Sequence, residues 1–160
     1  MDYVAAAKLL ASGDTLGAAQ AFYAFAKANP TAPEAAEALY SAGYFFFFKG
    51  KYKEAKDAFE ALLGQFPAHE NKETALFMLG VSLFQLGLYD GAISTLQSYL
   101  RQFPEGRFKA DAMKFLGFAY LKKERPQDAK PYLQGAEALY RSQGKKAEAA
   151  EIKKILRSLK

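Results

Sequence analysis

The sequence predicts an all-α protein built from successive pairs of antiparallel helices. Three kinds of small or helix-breaking residue recur along the chain at a spacing of 37 residues. They are prolines (Pro30, Pro67, Pro104), glycines (Gly43, Gly80, Gly117) and alanines (Ala18, Ala55, Ala92, Ala129). Several residue types that recur at the same long spacing indicate a repeat architecture. In such a fold each repeat is one supersecondary element, and its apolar faces are buried by the neighbouring repeats.

The first repeat, residues 1–30, is predicted to hold two helices at 3–12 and 15–28. The second repeat, residues 31–67, has the clearest boundaries. Pro33 and Glu34 open its first helix, because the fixed φ of proline and an acidic side chain both suit a helix N-terminus.

A glycine, Gly50, ends that helix, since the left-handed backbone of a helix end is unstrained only for glycine. The second helix of this repeat is predicted over 52–65, where apolar residues recur at helical spacing. The third repeat, residues 68–104, shows the same order from Asn71 through Gly87 to the closing proline.

The fourth repeat, residues 105–141, departs from this pattern at its central turn. Its helices are predicted from residue 109 through to residue 140, but Glu124 and Pro126 stand where the other repeats have glycine and tyrosine. We therefore expect a tighter or altered turn there, within a preserved helix pair.

After a break at Ser142–Gly144, residues 145–160 are predicted to form one amphipathic helix. Its apolar face consists of Ile152, Ile155, Leu156 and Leu159. Because a repeat array needs a terminal cap with a polar outer face, we expect a C-terminal capping helix that completes a single domain over residues 1–160.

The small residues are expected where the two helices of a repeat cross closely. A bulky side chain there would force the pair apart, at about 1–3 kcal/mol of overpacking.

The repeat pattern resembles the tetratricopeptide repeat (TPR). The residues that carry the resemblance are Leu39, Gly43, Phe46, Gly50, Tyr52, Ala55, Phe59 and Pro67 in the second repeat, and Gly80, Leu83, Gly87, Tyr89, Ala92, Leu96 and Pro104 in the third. It covers about residues 3–141, although Ala6 replaces the glycine in the first repeat. The resemblance implies a right-handed superhelical solenoid in which the first helices line a concave groove.

The repeats are longer than the 34 residues usual for this family, and the extra length lies between repeats. Long links after a Phe-Pro pair resemble the bacterial cell-envelope subgroup that includes the outer-membrane assembly lipoprotein BamD and the Tol–Pal coordinator CpoB. Those proteins carry export signals, whereas MDYVAAAKLL shows neither a basic n-region nor a cleavage pattern. We expect a cytoplasmic location for the chain as given, or a periplasmic one if an export signal has been removed.

Composition excludes several classes of function. The chain has no cysteine, which excludes disulfides, thiolate metal sites and a cysteine nucleophile. Its apolar stretches are shorter than the roughly 20 residues of a membrane-spanning helix, so no integral membrane segment is expected. We expect no enzyme and no cofactor, because there is no phosphate-binding loop, metal-ligand cluster or activated nucleophile. The single histidine, His69, is expected to be a helix-entry or surface residue.

The net charge of +5 is concentrated at the C-terminus. Residues 141–160 carry Glu148 and Glu151 against the basic residues Arg141, Lys145, Lys146, Lys153, Lys154, Arg157 and Lys160. We interpret the basic residues as the solvent side of the capping helix, with binding of an anionic partner as the alternative. No nucleic-acid partner is expected, because the rest of the chain is neutral.

The run YFFFFKG, residues 44–50, raises the question of which rings are core. Phe46 aligns with large apolar residues in the other repeats and is predicted to be core. Phe45 aligns with Lys8, Ser82 and Ala119, and it is expected to fill a gap beside the neighbouring repeat. The remaining rings belong to a predicted partner-binding groove formed by Tyr3, Tyr40, Tyr44, Phe47, Phe48, Phe77, Val81, Phe84 and Phe118, with Lys114 and Lys122 at its charged end.

These features predict a non-enzymatic scaffold that binds a peptide or amphipathic helix of a partner protein in an aromatic groove. The TPR resemblance supplies the orientation of the groove, and the envelope subgroup implies work in a bacterial envelope or another multiprotein assembly. Two alternatives remain open: the rings bury one another, or the groove mediates self-association into a homo-oligomer.

Overall fold

The computed structural model describes residues 2–159, which form nine α-helices and no β-strand. The predicted domain limits at residues 1 and 160, and the basic residue Lys160, lie outside the described residues. The chain is divided into two compact units, the first ending at Leu86 and the second beginning at Gly87. The all-α fold is as predicted.

The first unit contains five helices. They are α1 (Tyr3–Ala11), α2 (Thr15–Ala28), α3 (Ala35–Phe48), α4 (Tyr52–Gln65) and α5 (Lys72–Gln85). Helices α2 and α4 have the predicted limits. Helix α3 begins at Ala35 with Glu34 as its N-cap, so Pro33 lies in the preceding turn and not, as predicted, in the helix.

The core of the first unit is built between consecutive helices. Helix α2 packs on α1 and α3, and α4 packs on α3 and α5. The buried rings include Phe22 of α2, Phe46 of α3 and Phe59 of α4, each at most 3% exposed. Phe46 is therefore core, as predicted. Ala18 and Ala55, from the alanine column, are fully buried between their helices.

The second unit contains the remaining four helices. They are α6 (Tyr89–Gln102), α7 (Lys109–Lys122), α8 (Pro126–Ser142) and α9 (Lys146–Ser158). Each packs on the next along the chain. A Cβ at Gly117 of α7 would overlap Cδ2 of Leu133 of α8, so glycine permits this close crossing, as predicted.

The turn between α7 and α8 has the same backbone as its counterparts, so the prediction of a tighter or altered turn is wrong. Glu124 adopts φ 58°, in the same left-handed region as Gly50 at φ 72°. The Glu124 N–H donates to the Leu121 carbonyl at 2.9 Å, as the Gly50 N–H donates to the Phe47 carbonyl at 3.0 Å. The hydrogen bonds of the turn hold Glu124 in a left-handed backbone conformation that glycine adopts more easily.

Helix α9 covers the end of the second unit. Ile152 is 1% exposed and belongs to the same core cluster as Leu133 and Tyr140 of α8. Ile155, Leu156 and Leu159 pack against that cluster. The basic side chains Lys153, Lys154 and Arg157 are exposed, so the predicted division into an apolar inner face and a basic outer face is confirmed.

Within residues 2–159, no helix has both the length and the apolar character needed to cross a bilayer.

Candidate functional site: an aromatic cleft on helix α3

An open cleft of about 300 Å³ runs along one face of α3 in the first unit. Its lining residues recur every three or four positions, which places them on one side of the helix. They are Glu37, Tyr40, Ser41, Tyr44 and Phe45, and together they define the α3 cleft. A single helical face therefore presents a carboxylate, hydroxyl groups and aromatic rings.

Aromatic rings continue from the α3 cleft to the end of the helix. The ring centroids of Tyr40 and Tyr44 are 5.9 Å apart, and those of Tyr44 and Phe48 are 4.8 Å apart. Tilted and edge-on pairs at such distances contribute about 0.5–1.5 kcal/mol each beyond their burial. Phe48, at the end of this row, is 60% exposed. The row therefore ends in a large apolar side chain in contact with water.

Phe45 and Phe47 are both partly buried, and their rings contact different neighbours. Phe45 lines the cleft and meets Tyr44 edge-on at 5.5 Å. That it fills a gap beside the neighbouring repeat stays a prediction. Phe47 turns toward α4 and packs edge-on against Tyr52 at 5.7 Å. The alignment did not indicate the placement of Phe45, because its counterparts Ser82 and Ala119 are fully buried.

Tyr3, a predicted groove residue on α1, packs on helix α2. Its ring lies 5.3 Å from that of Phe22 in an edge-on arrangement and 5.9 Å from that of Phe25. Burial, and then the carboxylates of Glu37 and Glu34, raise the pKa of the Tyr3 hydroxyl. The negative charge at the start of α3 therefore acts on α1 as well.

The predicted groove residues of α5 contribute little exposed surface. Phe77 is 8% exposed and Val81 is 3% exposed, so both are buried rather than presented to a partner. Phe84 is partly buried. Among the described aromatic side chains of the first unit, Phe48 of α3 is the most exposed.

The predicted groove residues of the second unit lie on α7. Phe118 packs against the core cluster of α8 and α9, and its ring meets that of Phe115 edge-on at 6.2 Å. Lys114 Nζ lies 5.0 Å from the centroid of the Phe115 ring and 6.0 Å from that of Tyr140. Of the three residues predicted here, Lys122 is exposed, whereas Phe118 and Lys114 are partly buried.

His69 borders the α3 cleft, which the sequence did not indicate. Its Nδ1 accepts a hydrogen bond from the Asn71 N–H at 3.1 Å, at the entry to α5, as a helix-entry residue should. Its ring stacks on that of Tyr40 at 6.0 Å, and its Nε2 lies 3.6 Å from Oε2 of Glu37. Only 11% of the side chain is exposed, so it is not a surface residue.

Chemically, the α3 cleft can bind apolar and cationic groups. Ring faces attract both hydrocarbon and positive charge, and the carboxylate of Glu37 adds a negative charge. Within residues 2–159, no group of three or more His, Cys, Asp or Glu side chains is placed to hold a metal ion.

Residues 2–119 match the model of the YfiO family, described as an outer membrane lipoprotein family. The chain belongs to the YfiO family. No curated protein sequence matches it. The match spans α1 to α6 and most of α7, so it includes the whole α3 cleft.

Solved structures of repeat proteins share the fold. MamA from Desulfovibrio magneticus RS-1 superposes with a TM-score of 0.69 at 24% identity, over 88% of this chain and 75% of that one. Another MamA crystal structure superposes with a TM-score of 0.66 at 20% identity, over 96% of this chain and 92% of that one. A kinesin light chain protein of Podosopora anserina with nearly identical TPR-like repeats has a TM-score of 0.65 at 14% identity. The superposition covers 98% of this chain and 92% of that one.

At these identities the similarity concerns the fold, and it confirms the predicted TPR-type repeat. Repeats of this kind present extended surfaces to protein partners, so the fold of this YfiO-family chain is that of a protein-interaction scaffold.

Proposed function

We propose that the protein is a non-enzymatic scaffold that binds a peptide or amphipathic helix of a partner protein through α3. The contact surface, called here the α3 aromatic surface, consists of Tyr40, Tyr44, Phe45 and Phe48. The observation that carries the proposal is the 60% exposure of Phe48 at the end of a continuous row of rings.

The energetics of exposure support binding. A phenylalanine left in water forgoes roughly 1.5–3 kcal/mol of burial, and aromatic side chains are the usual anchors of protein interfaces. If the rings only buried one another, Phe48 would be covered. Instead, its contacts with Tyr44 and Phe47 hold it in place while most of its surface remains free.

The family description supports an envelope setting for this interaction. YfiO proteins are described as outer membrane lipoproteins, and the fold is a scaffold for protein partners. We therefore propose that the protein works in an assembly of the bacterial envelope, where its α3 aromatic surface recruits a segment of another subunit.

A paired pull-down tests the proposal. The baits are the wild type, the double variant Tyr44→Ser/Phe48→Ser, and the control Leu88→Ser. Leu88 is 48% exposed and precedes α6, so its replacement removes exposed apolar surface far from α3 in sequence. We expect a partner that the wild type and the control retain and that the double variant loses, with equal helicity by circular dichroism.

Equal capture by all three baits would contradict the proposal. Loss of helicity in the double variant would show that these rings are structural, which also contradicts it. Light scattering of the wild type over a concentration series identifies self-association, since a homo-oligomer that the double variant dissociates would make a second copy the partner.

A further inference from the structure

We propose that the α3 cleft binds a lysine or arginine side chain of the partner, and that it thereby selects segments in which a basic residue is flanked by apolar ones. This inference rests on the proposed function, because it names the chemistry of the segment that the α3 aromatic surface recruits.

Glu37 supplies the charge that a basic side chain requires. It is the only charged residue among the five that line the cleft, and its side chain is 46% exposed. It lies in the first turn of α3, where the helix dipole favours an ionised carboxylate. The cleft therefore has a negative end next to the ring of Tyr40.

Among the described residues, no lysine or arginine side chain neutralises this carboxylate. Within residues 2–159, Glu37 has no lysine or arginine at ion-pair distance, and its neighbour is His69. The Nδ1 atom of His69 is occupied by the hydrogen bond that it accepts from the Asn71 N–H. At 3.6 Å from Oε2 of Glu37, the Nε2 atom of His69 is too distant for a hydrogen bond.

The rings provide the second half of a cation site. Tyr40, Tyr44 and Phe45 line the same cleft as Glu37, and a positive charge over an aromatic face is attracted by the electrons of the ring. The aliphatic stem of lysine or arginine packs on such rings while its head reaches the carboxylate. Rings and carboxylate together favour a basic side chain over a neutral one of the same length.

The size of the cleft and its surrounding charge agree with this ligand. About 300 Å³ lies at the lower end of ligand pockets, which suits one long side chain. The carboxylates of Glu37 and Glu34 both act on the Tyr3 hydroxyl, so this end of the first unit is negative beyond the cleft itself. A negative field attracts basic segments before contact.

Selection from a library of random dodecapeptides displayed on phage tests the inference. The baits are the full-length wild type, Glu37→Gln, the control Glu34→Gln and the double variant Tyr44→Ser/Phe48→Ser. Glu34 has the same charge, is exposed at the N-cap of the same helix, and does not line the cleft. We expect wild type and Glu34→Gln to enrich peptides with lysine or arginine beside apolar residues.

We expect the peptides selected by Glu37→Gln to be enriched in apolar residues but no longer in lysine or arginine. For the best selected peptide, replacing its basic residue by glutamine should weaken binding to the wild type about tenfold, measured by calorimetry. On Glu37→Gln the same replacement should weaken binding only about threefold, because the two groups interact directly.

Each other outcome overturns a defined part of the argument. If the wild type selects apolar peptides that lack basic residues, the cleft does not bind a cation, but the proposed function is still supported. Basic enrichment that survives in Glu37→Gln, or is lost equally in Glu34→Gln, shows that the cleft carboxylate is not the selector. Selection of nothing, or equal selection by the double variant, overturns the proposed function as well.

Discussion

Gly43 of α3 lies against the ring of Phe59 of α4 so closely that a Cβ would be 2.6 Å from the ring atom Cε1. Phe59 is fully buried, and protein cores have little free volume into which a ring could shift. The two helices therefore approach to a distance that glycine alone permits. This contact gives a physical reason for the glycine that recurs in the first helix of the second, third and fourth repeats.

Replacing Gly43 by alanine should lower the free energy of unfolding by about 1–3 kcal/mol, because the added methyl group forces α3 and α4 apart. Urea denaturation measures the change. Gly64→Ala is the matched control, since Gly64 lies in α4 with no other atom within 4 Å of an added Cβ. That variant should be more stable by about 0.4–1 kcal/mol. A shift of both variants in the same direction would contradict the close crossing.

Much of the fold follows from local pattern. The limits of α2 and α4, the buried alanines and the apolar face of α9 follow from residue spacing and from the breaking residues, because these act within one helix pair. The direction of each ring in the run at 44–48 does not. It depends on how α3 is rotated between α2 and α4, the helices on which it packs, and the residue spacing within α3 does not report that rotation.

The candidate site was predicted less well than the fold. Tyr40, Tyr44 and Phe48 were identified because their spacing places them on one face of a helix. Phe77 and Val81 share the alignment columns of the groove, yet they are buried, since alignment reports register and not the coverage by other helices. His69 reaches Tyr40 through the link before α5, and no sequence period predicts such a contact.

Two neighbouring phenylalanines should respond very differently to truncation. Phe46 is 3% exposed and Phe48 is 60% exposed, although one residue separates them. Phe46→Ala should lower the free energy of unfolding by about 3–5 kcal/mol, as expected for a large buried ring. Phe48→Ala should change it by less than about 1 kcal/mol, because only its edge contacts are lost. Similar losses in urea denaturation would show that Phe48 belongs to the core.

The turn between α7 and α8 should gain stability from glycine. Glu124 has φ 58°, a conformation that costs an L-residue roughly 1–2 kcal/mol and costs glycine almost nothing. After the greater freedom of glycine in the unfolded chain is subtracted, Glu124→Gly should be about 0.5–1 kcal/mol more stable. Thermal unfolding checks this, with Glu105→Gly in an exposed link as a control for the loss of charge. Equal shifts in the two variants would contradict strain at Glu124.

Tyr140 should make the stability of the protein depend on alkaline pH. Its ring is 1% exposed in the second unit, and its hydroxyl donates a hydrogen bond to Asp111 Oδ1 of α7. Burial, and then this carboxylate, raise the pKa of Tyr140 far above its ordinary value of 10.0. The folded protein therefore holds a proton that the unfolded chain releases once the pH exceeds 10.0.

Because the unfolded state binds fewer protons above that pH, the stabilisation by Tyr140 is complete below it and decreases as the pH rises further. Tyr140→Phe removes both the hydrogen bond and this dependence. At neutral pH the variant should be less stable than the wild type by about 1.5–3 kcal/mol, the usual contribution of a hydrogen bond to a charged group. The difference should shrink steadily toward about pH 11, where a tyrosine of ordinary pKa is ionised.

The difference in stability between the wild type and Tyr140→Phe reports on the Tyr140 hydroxyl alone. Tyr3 and Lys56 also have raised pKa values, but both proteins contain them, so their effects cancel in the difference. Urea denaturation at a series of pH values measures it. A difference that stays constant from neutral to alkaline pH would mean that the Tyr140 hydroxyl titrates alike in both states, and that its hydrogen bond to Asp111 does not hold the proton.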